Sequence, residues 1–119
     1  MRSAALVAAV GVTAAFAVAP VGLAAKHKPP KPRTVKVGDD YFSPVAIKVP
    51  KGTTVVWKWL AYNGNTHDVK LRKGPKGVKH FHSDPAAADF TYKRKLTVKG
   101  KYTVICTFHE GMTMTVTVK

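Results

Sequence analysis

The sequence predicts an all-β protein, an antiparallel sandwich of about seven or eight short strands. Three observations carry that expectation. Beyond residue 33 apolar and polar residues alternate, as in "TTVVWKWL" and "TMTVTVK"; turn-forming Pro, Gly and Asn recur between such runs; and no stretch repeats its apolar residues at helical spacing. At 119 residues, the chain has room for one domain with a single core.

Taken in order, the first 25 residues read as an export signal. Arg2 gives the positive start, the uncharged run from Ser3 to Val21 gives the apolar stretch, and Gly22-Leu23-Ala24 meets the small-x-small cleavage rule. Cleavage after Ala24 leaves 95 residues that begin Ala25-Lys26-His27, and Ala25 is the neighbouring choice. The run is also long enough to span a bilayer, so a retained anchor is the alternative. No cysteine stands at its end to carry a lipid.

Residues 26–33, "KHKPPKPR", form a stiff, basic, solvated linker, and the folded domain covers 34–119. Its predicted strands are 34–38, 45–49, 53–60, 66–71, 90–98, 101–106 and the closing "TMTVTVK", with Val55, Trp57 and Trp59 sharing one face of the third. Pro50-Lys51-Gly52 and Lys99-Gly100-Lys101 read as tight turns, and residues 73–89 as a long loop with at most one turn of helix.

The formal charge is +14, and loss of Arg2 with the signal leaves +13. Such a field favours acidic partners: an acidic redox protein, or peripheral contact with an anionic membrane or wall polymer. Export argues against nucleic acid. The lysines are also scattered through nearly every segment, as a solubilising surface would have them.

Cys106 is the sole cysteine. Outside the cytoplasm thiols tend to be oxidised into pairs, so a lone one is a buried inert thiol, an intermolecular disulfide, a nucleophile or a metal ligand. Its neighbours favour the last. Cys106, His109 and Met112 form C-x-x-H-x-x-M on a loop between two predicted strands, and His67 opens an earlier one. Two imidazoles, one thiolate and a weak thioether suit a copper ion that cycles between Cu(I) and Cu(II). Coordination would also shield the thiolate from disulfide exchange.

At these residues the chain resembles the cupredoxins, the small blue copper proteins of amicyanin and plastocyanin type. "GKYTVICTFHEGMTMTVTVK" resembles their carboxy-terminal end, and "DDYFSPVAIKVPKGTTVVWKW" followed by "NTHDV" their earlier strands and first histidine ligand. The resemblance implies a Greek-key β-sandwich holding one type 1 copper, with metal ligands His67, Cys106, His109 and Met112. It implies a monomeric one-electron carrier for redox partner proteins, and an exposed edge of His109 among Phe108, Gly111 and Met112. Met114 is the rival for the axial position, since its interval from His109 is that of plastocyanin. Counting back from the final strand instead aligns Met112 with the family's methionine and leaves Met114 as an inward core residue. Phe108 and Glu110 stand where prolines are common, and Asp68 where an asparagine ties the two ligand loops together.

Other donors permit other readings. His80 and His82 flank Phe81 and read either as a second metal site or as surface residues beside a core ring. His27, third after cleavage at Ala24, would complete an amino-terminal Cu(II) chelate. With Met114 these support an alternative function, copper binding and delivery outside the cytoplasm without a redox-carrier role. A third reading, a basic module for anionic surface polymers, rests on charge alone. Enzyme readings are weak: no Ser/His/Asp set is evident, and a Cys/His nucleophile pair would be brought together by the fold rather than lie three apart on one loop.

Overall fold

The alternating segments become two four-stranded sheets packed face to face. The computed structural model describes residues 28–119, together with positions 11, 13 and 15. The predicted signal, its alternative as an anchor, and His27 fall outside the described residues. Among those residues no helix is long and apolar enough to cross a membrane.

The strands are β1 (Arg33–Gly38), β2 (Tyr41–Ser43), β3 (Ala46–Val49), β4 (Thr53–Trp59), β5 (Lys70–Lys73), β6 (Thr91–Leu96), β7 (Gly100–Ile105) and β8 (Thr113–Val118). One sheet has the order β2-β1-β4-β6 and the other β3-β8-β7-β5. The sheets are mixed, not wholly antiparallel as the strand pattern suggested: β1 pairs with β4, and β3 with β8, in parallel. The chain's path explains this. Between β1 and β4 it makes the β2 hairpin and then crosses to the other sheet as β3, so β4 re-enters the first sheet in the direction of β1.

Strand burial follows the period of two. On β4, Thr53, Val55, Trp57 and Trp59 face inward; on β8, Met114, Val116 and Val118 do. Trp57 lies at the centre. Its ring sits 6.0 Å from those of Phe81 and Tyr92, and its indole N–H reaches across to the Met114 sulfur at 3.3 Å. Two tryptophans fit one face because each indole N–H finds a partner, which removes the cost of burying it bare.

The strand predicted at 66–71 forms later, at Lys70–Lys73. His67 and Val69 instead bond loop to loop: His67 exchanges both backbone bonds with Ala86, and Val69 pairs with Ser83. Residues 74–90 are irregular, as expected, with Phe81 buried between exposed His80 and His82.

β1, β4 and β7 run toward one end of the sandwich, and the other strands run away from it. That end gathers the β1–β2 turn, the 60–69 loop, the 83–90 segment and the 106–112 loop.

Candidate metal centre

His67 is fixed by backbone before any side chain contributes. The Trp59 indole N–H points at the carbonyls of both Ala86 (2.9 Å) and His67 (3.3 Å), so a core residue of β4 pins the paired segments. Asn63 anchors the same loop to β1 through the Val37 carbonyl at 2.8 Å. The imidazole of His67 is fully buried.

The second loop closes on itself. Cys106 N–H donates to the Met112 carbonyl at 3.0 Å, and Met112 N–H to that of His109 at 3.3 Å. Gly111 makes the return with φ +80°, in the left-handed region that a side chain disfavours.

Asp68, 2% exposed, joins the two loops. Its carboxylate accepts from the Thr107 amide and hydroxyl, each at 2.6 Å, and from His82 Nε2 at 2.6 Å. Burial pushes its carboxyl up, but the bonds from His82 and Thr107 together outweigh that and hold it below the ordinary value. The aspartate thus makes the tie expected of an asparagine, and it recruits His82 as a third partner. His80 faces the Leu71 carbonyl at 3.4 Å. Both histidines therefore read as surface residues beside a core phenylalanine.

The result is a convergence of donors. One ligand atom each from His67, Cys106 and His109 lie within 4.8 Å of one another, and Cys106 Sγ is 3.6 Å from His109 Nδ1. His67 Nε2 donates to Asp39 Oδ1 at 2.9 Å. A carboxylate only accepts, so Nε2 carries a proton, and in the neutral ring Nδ1 keeps a free lone pair. That Nδ1 is buried and has no hydrogen-bond partner among the described residues. An orphaned imidazole nitrogen on a histidine grouped with a thiol and a second imidazole is what a bound soft metal would satisfy. Burial pushes the Cys106 thiol up, against hydrogen bonds from the backbone of Asp68, Phe108 and His109 that favour the thiolate.

Of the two methionines, Met112 is buried at the end of the loop and lines a shallow depression with Cys106 and His109. The Met114 sulfur points into the core at Trp57.

Two residues that strand and motif reading passed over complete the centre. Asp39 and Asp40 form the two-residue turn between β1 and β2. Asp39 accepts from the Gly64 and Asn65 amides as well as His67; these bonds, that from Gly64 foremost, hold its carboxyl down at about 2. Asp40, at φ +66°, places a carboxylate oxygen 3.1 Å from His109 Nε2. Consecutive carboxylates of one turn thus address both imidazoles. The signal was present as two acids at the tip of an alternating hairpin, "VKVGDDYF".

With this geometry in view, residues 33–119 match the family model for copper binding proteins of the plastocyanin/azurin family. The chain belongs to that family. Among curated proteins it is similar to a halocyanin from Natronomonas pharaonis, 34% identical over 74 residues, which cover 61% of this chain and 44% of that protein. Among solved structures this cupredoxin is similar to amicyanin from Paracoccus versutus, with a TM-score of 0.64 and 24% identity over 74% of this chain and 81% of that one. It is also similar to a copper-containing nitrite reductase from Thermus scotoductus, with a TM-score of 0.64 and 24% identity, but over only 22% of that enzyme's chain. At such identities the structural likenesses speak for the fold alone. The cupredoxin sandwich is thereby established, with His67, Cys106 and His109 grouped as its copper-binding candidates.

Proposed function

We propose that the chain is an exported, monomeric electron carrier that holds one copper ion through His67, Cys106, His109 and Met112. The convergence of His67 Nδ1, Cys106 Sγ and His109 Nδ1, with Met112 beside them, carries this reading. A copper ion bound there supplies one-electron redox chemistry by alternating between Cu(I) and Cu(II). The protein's part is positional. Asp39 fixes the His67 tautomer, Asp68 fixes the spacing of the two loops, and the short Cys106–Met112 closure keeps three donors on one rigid segment. Such a frame changes little between oxidation states, which favours fast outer-sphere transfer.

His109, partly exposed, and Phe108, 52% exposed, offer the route by which electrons reach a redox partner. The amino-terminal pattern of Arg2, Ser3–Val21 and Gly22-Leu23-Ala24 supports an extracytoplasmic location. Copper delivery without a carrier role would use further free donors, but His82, His80 and Met114 already face Asp68, the Leu71 carbonyl and Trp57.

Titration with Cu(II), followed by visible absorption, tests the proposal. An intense thiolate-to-copper charge-transfer band, saturating at one copper per chain and lost in Cys106→Ser, is expected. Weak absorption, or saturation at several ions per chain, would refute it.

A further inference from the structure

The copper end of the sandwich differs in sign from the rest of the molecule. All six acidic side chains, Asp39, Asp40, Asp68, Asp84, Asp89 and Glu110, lie in the loops gathered there. None of the 18 lysines and arginines among the described residues does. Lys51, Lys76, Lys79 and Lys99 occupy the turns at the opposite end, and most other basic residues lie along the strands or in the linker. Lys58 and Lys70 stand at the strand ends that feed these loops, and Arg72 of β5 flanks the depression lined by His109 and Glu110.

Around the exposed edge of His109 the charge is concentrated. Asp40 touches its Nε2, Glu110 follows it in sequence, and Asp39 stands beside Asp40 at the tip of the hairpin. Aromatic surface accompanies these acids: Phe108, Tyr62 and Tyr41 are all exposed. Apolar rings among carboxylates have the make-up of a docking face with a charged rim.

We infer that this end docks a redox protein whose electron-entry site is ringed by lysine and arginine, although the net charge of the chain alone would call for an acidic partner. The inference rests on the electron-carrier reading. Its physical basis is screening: at an ionic strength of 0.1 M the Debye length is about 10 Å, so a partner at the tip meets the nearby acids far more strongly than lysines at the other end. Charges close to the contact then set the sign of steering.

Two measurements test it. In the first, a hexalysine peptide is added at an ionic strength of about 0.1 M to the metal-free, isotope-labelled chain, and backbone amide shifts are followed by NMR. Shifts centred on residues 39–40, 62 and 108–111, absent at Lys51 and Lys99 and abolished in Glu110→Lys, are expected; no shifts, or shifts centred elsewhere, overturn the inference. This result needs no copper, so it is independent of whether the metal site is right.

In the second, the reduced, copper-loaded chain passes one electron to tris(phenanthroline)cobalt(III), giving cobalt(II), or to hexacyanoferrate(III), giving hexacyanoferrate(II). The rate with the cationic complex is expected to fall several-fold as ionic strength rises from about 0.1 to about 0.5 M, where the Debye length is about 10 Å or less, and that with the anion to rise. Glu110→Lys should flatten both slopes, whereas Lys51→Glu should leave them unchanged. A cationic oxidant that speeds up with salt, or equal effects of the two variants, would show that net charge governs the reaction and would sink the inference. Loss of the charge-transfer band would instead count against the copper site itself.

Discussion

Replacing Asp68 with alanine tests the tie between the two ligand loops. Its carboxylate accepts two 2.6 Å bonds from Thr107 and one from His82. Each Thr107 bond, made to a charged acceptor, contributes about 1.5–3 kcal/mol. His82 is 48% exposed, so water replaces much of what it loses. Removing a carboxylate that is 2% exposed also recovers its desolvation cost. The balance is a destabilisation of about 2–4 kcal/mol for Asp68→Ala. Asp68→Asn keeps an acceptor for the Thr107 amide and a donor for its hydroxyl, and should cost about 1 kcal/mol. Urea unfolding of metal-free protein, followed by tryptophan fluorescence, measures both: the midpoint should shift with the slope unchanged. If Asp68→Ala unfolds within about 0.5 kcal/mol of the parent, the range of ordinary surface substitutions, the loops do not depend on this residue. If alanine and asparagine cost the same, the hydrogen bonds are not what it supplies.

Acid should act through Asp39 in a defined window. Its folded pKa is depressed to about 2, so its stabilisation is complete above the ordinary carboxylate value of about 3.9 and drains away as pH falls through that interval. Melting temperatures between pH 2 and 6 should show a limb there that Asp39→Asn shortens; an unchanged limb would refute the assignment. The two methionines separate by spectrum. Met114→Leu, nearly conserving volume, should cost less than about 1.5 kcal/mol and leave the copper band alone, while Met112→Leu should change the band and the reduction potential. The opposite pattern would make Met114 the axial donor.

Much of this was legible in the sequence because it is local. Alternation marked β4 and β8, and the close spacing of Cys106, His109 and Met112 placed three donors on one loop. What escaped is non-local. The three residues of β2 are too few for a periodic signal, and the parallel pairing of β1 with β4 depends on a crossover that no single segment encodes. His67 was placed at the start of a strand, whereas its position follows from Ala86 and from the indole of Trp59, both distant in sequence. Asp39 and Asp40 drew no reading of their own because their partners, His67 and His109, lie far along the chain.

The tip of a β-hairpin is normally where a chain accepts extra residues most readily. The Asp39–Asp40 turn should not. Each of its side chains ends on a different imidazole, so one inserted residue would move at least one carboxylate off its target and leave the strands themselves intact. Hairpin length here is set by the site, while the turn at Gly77, with φ +89° and open space around it, carries no such constraint. An epitope belongs after Gly77, with that glycine kept because its φ disfavours a side chain; inserted after Asp39, it should spare folding and spoil the metal.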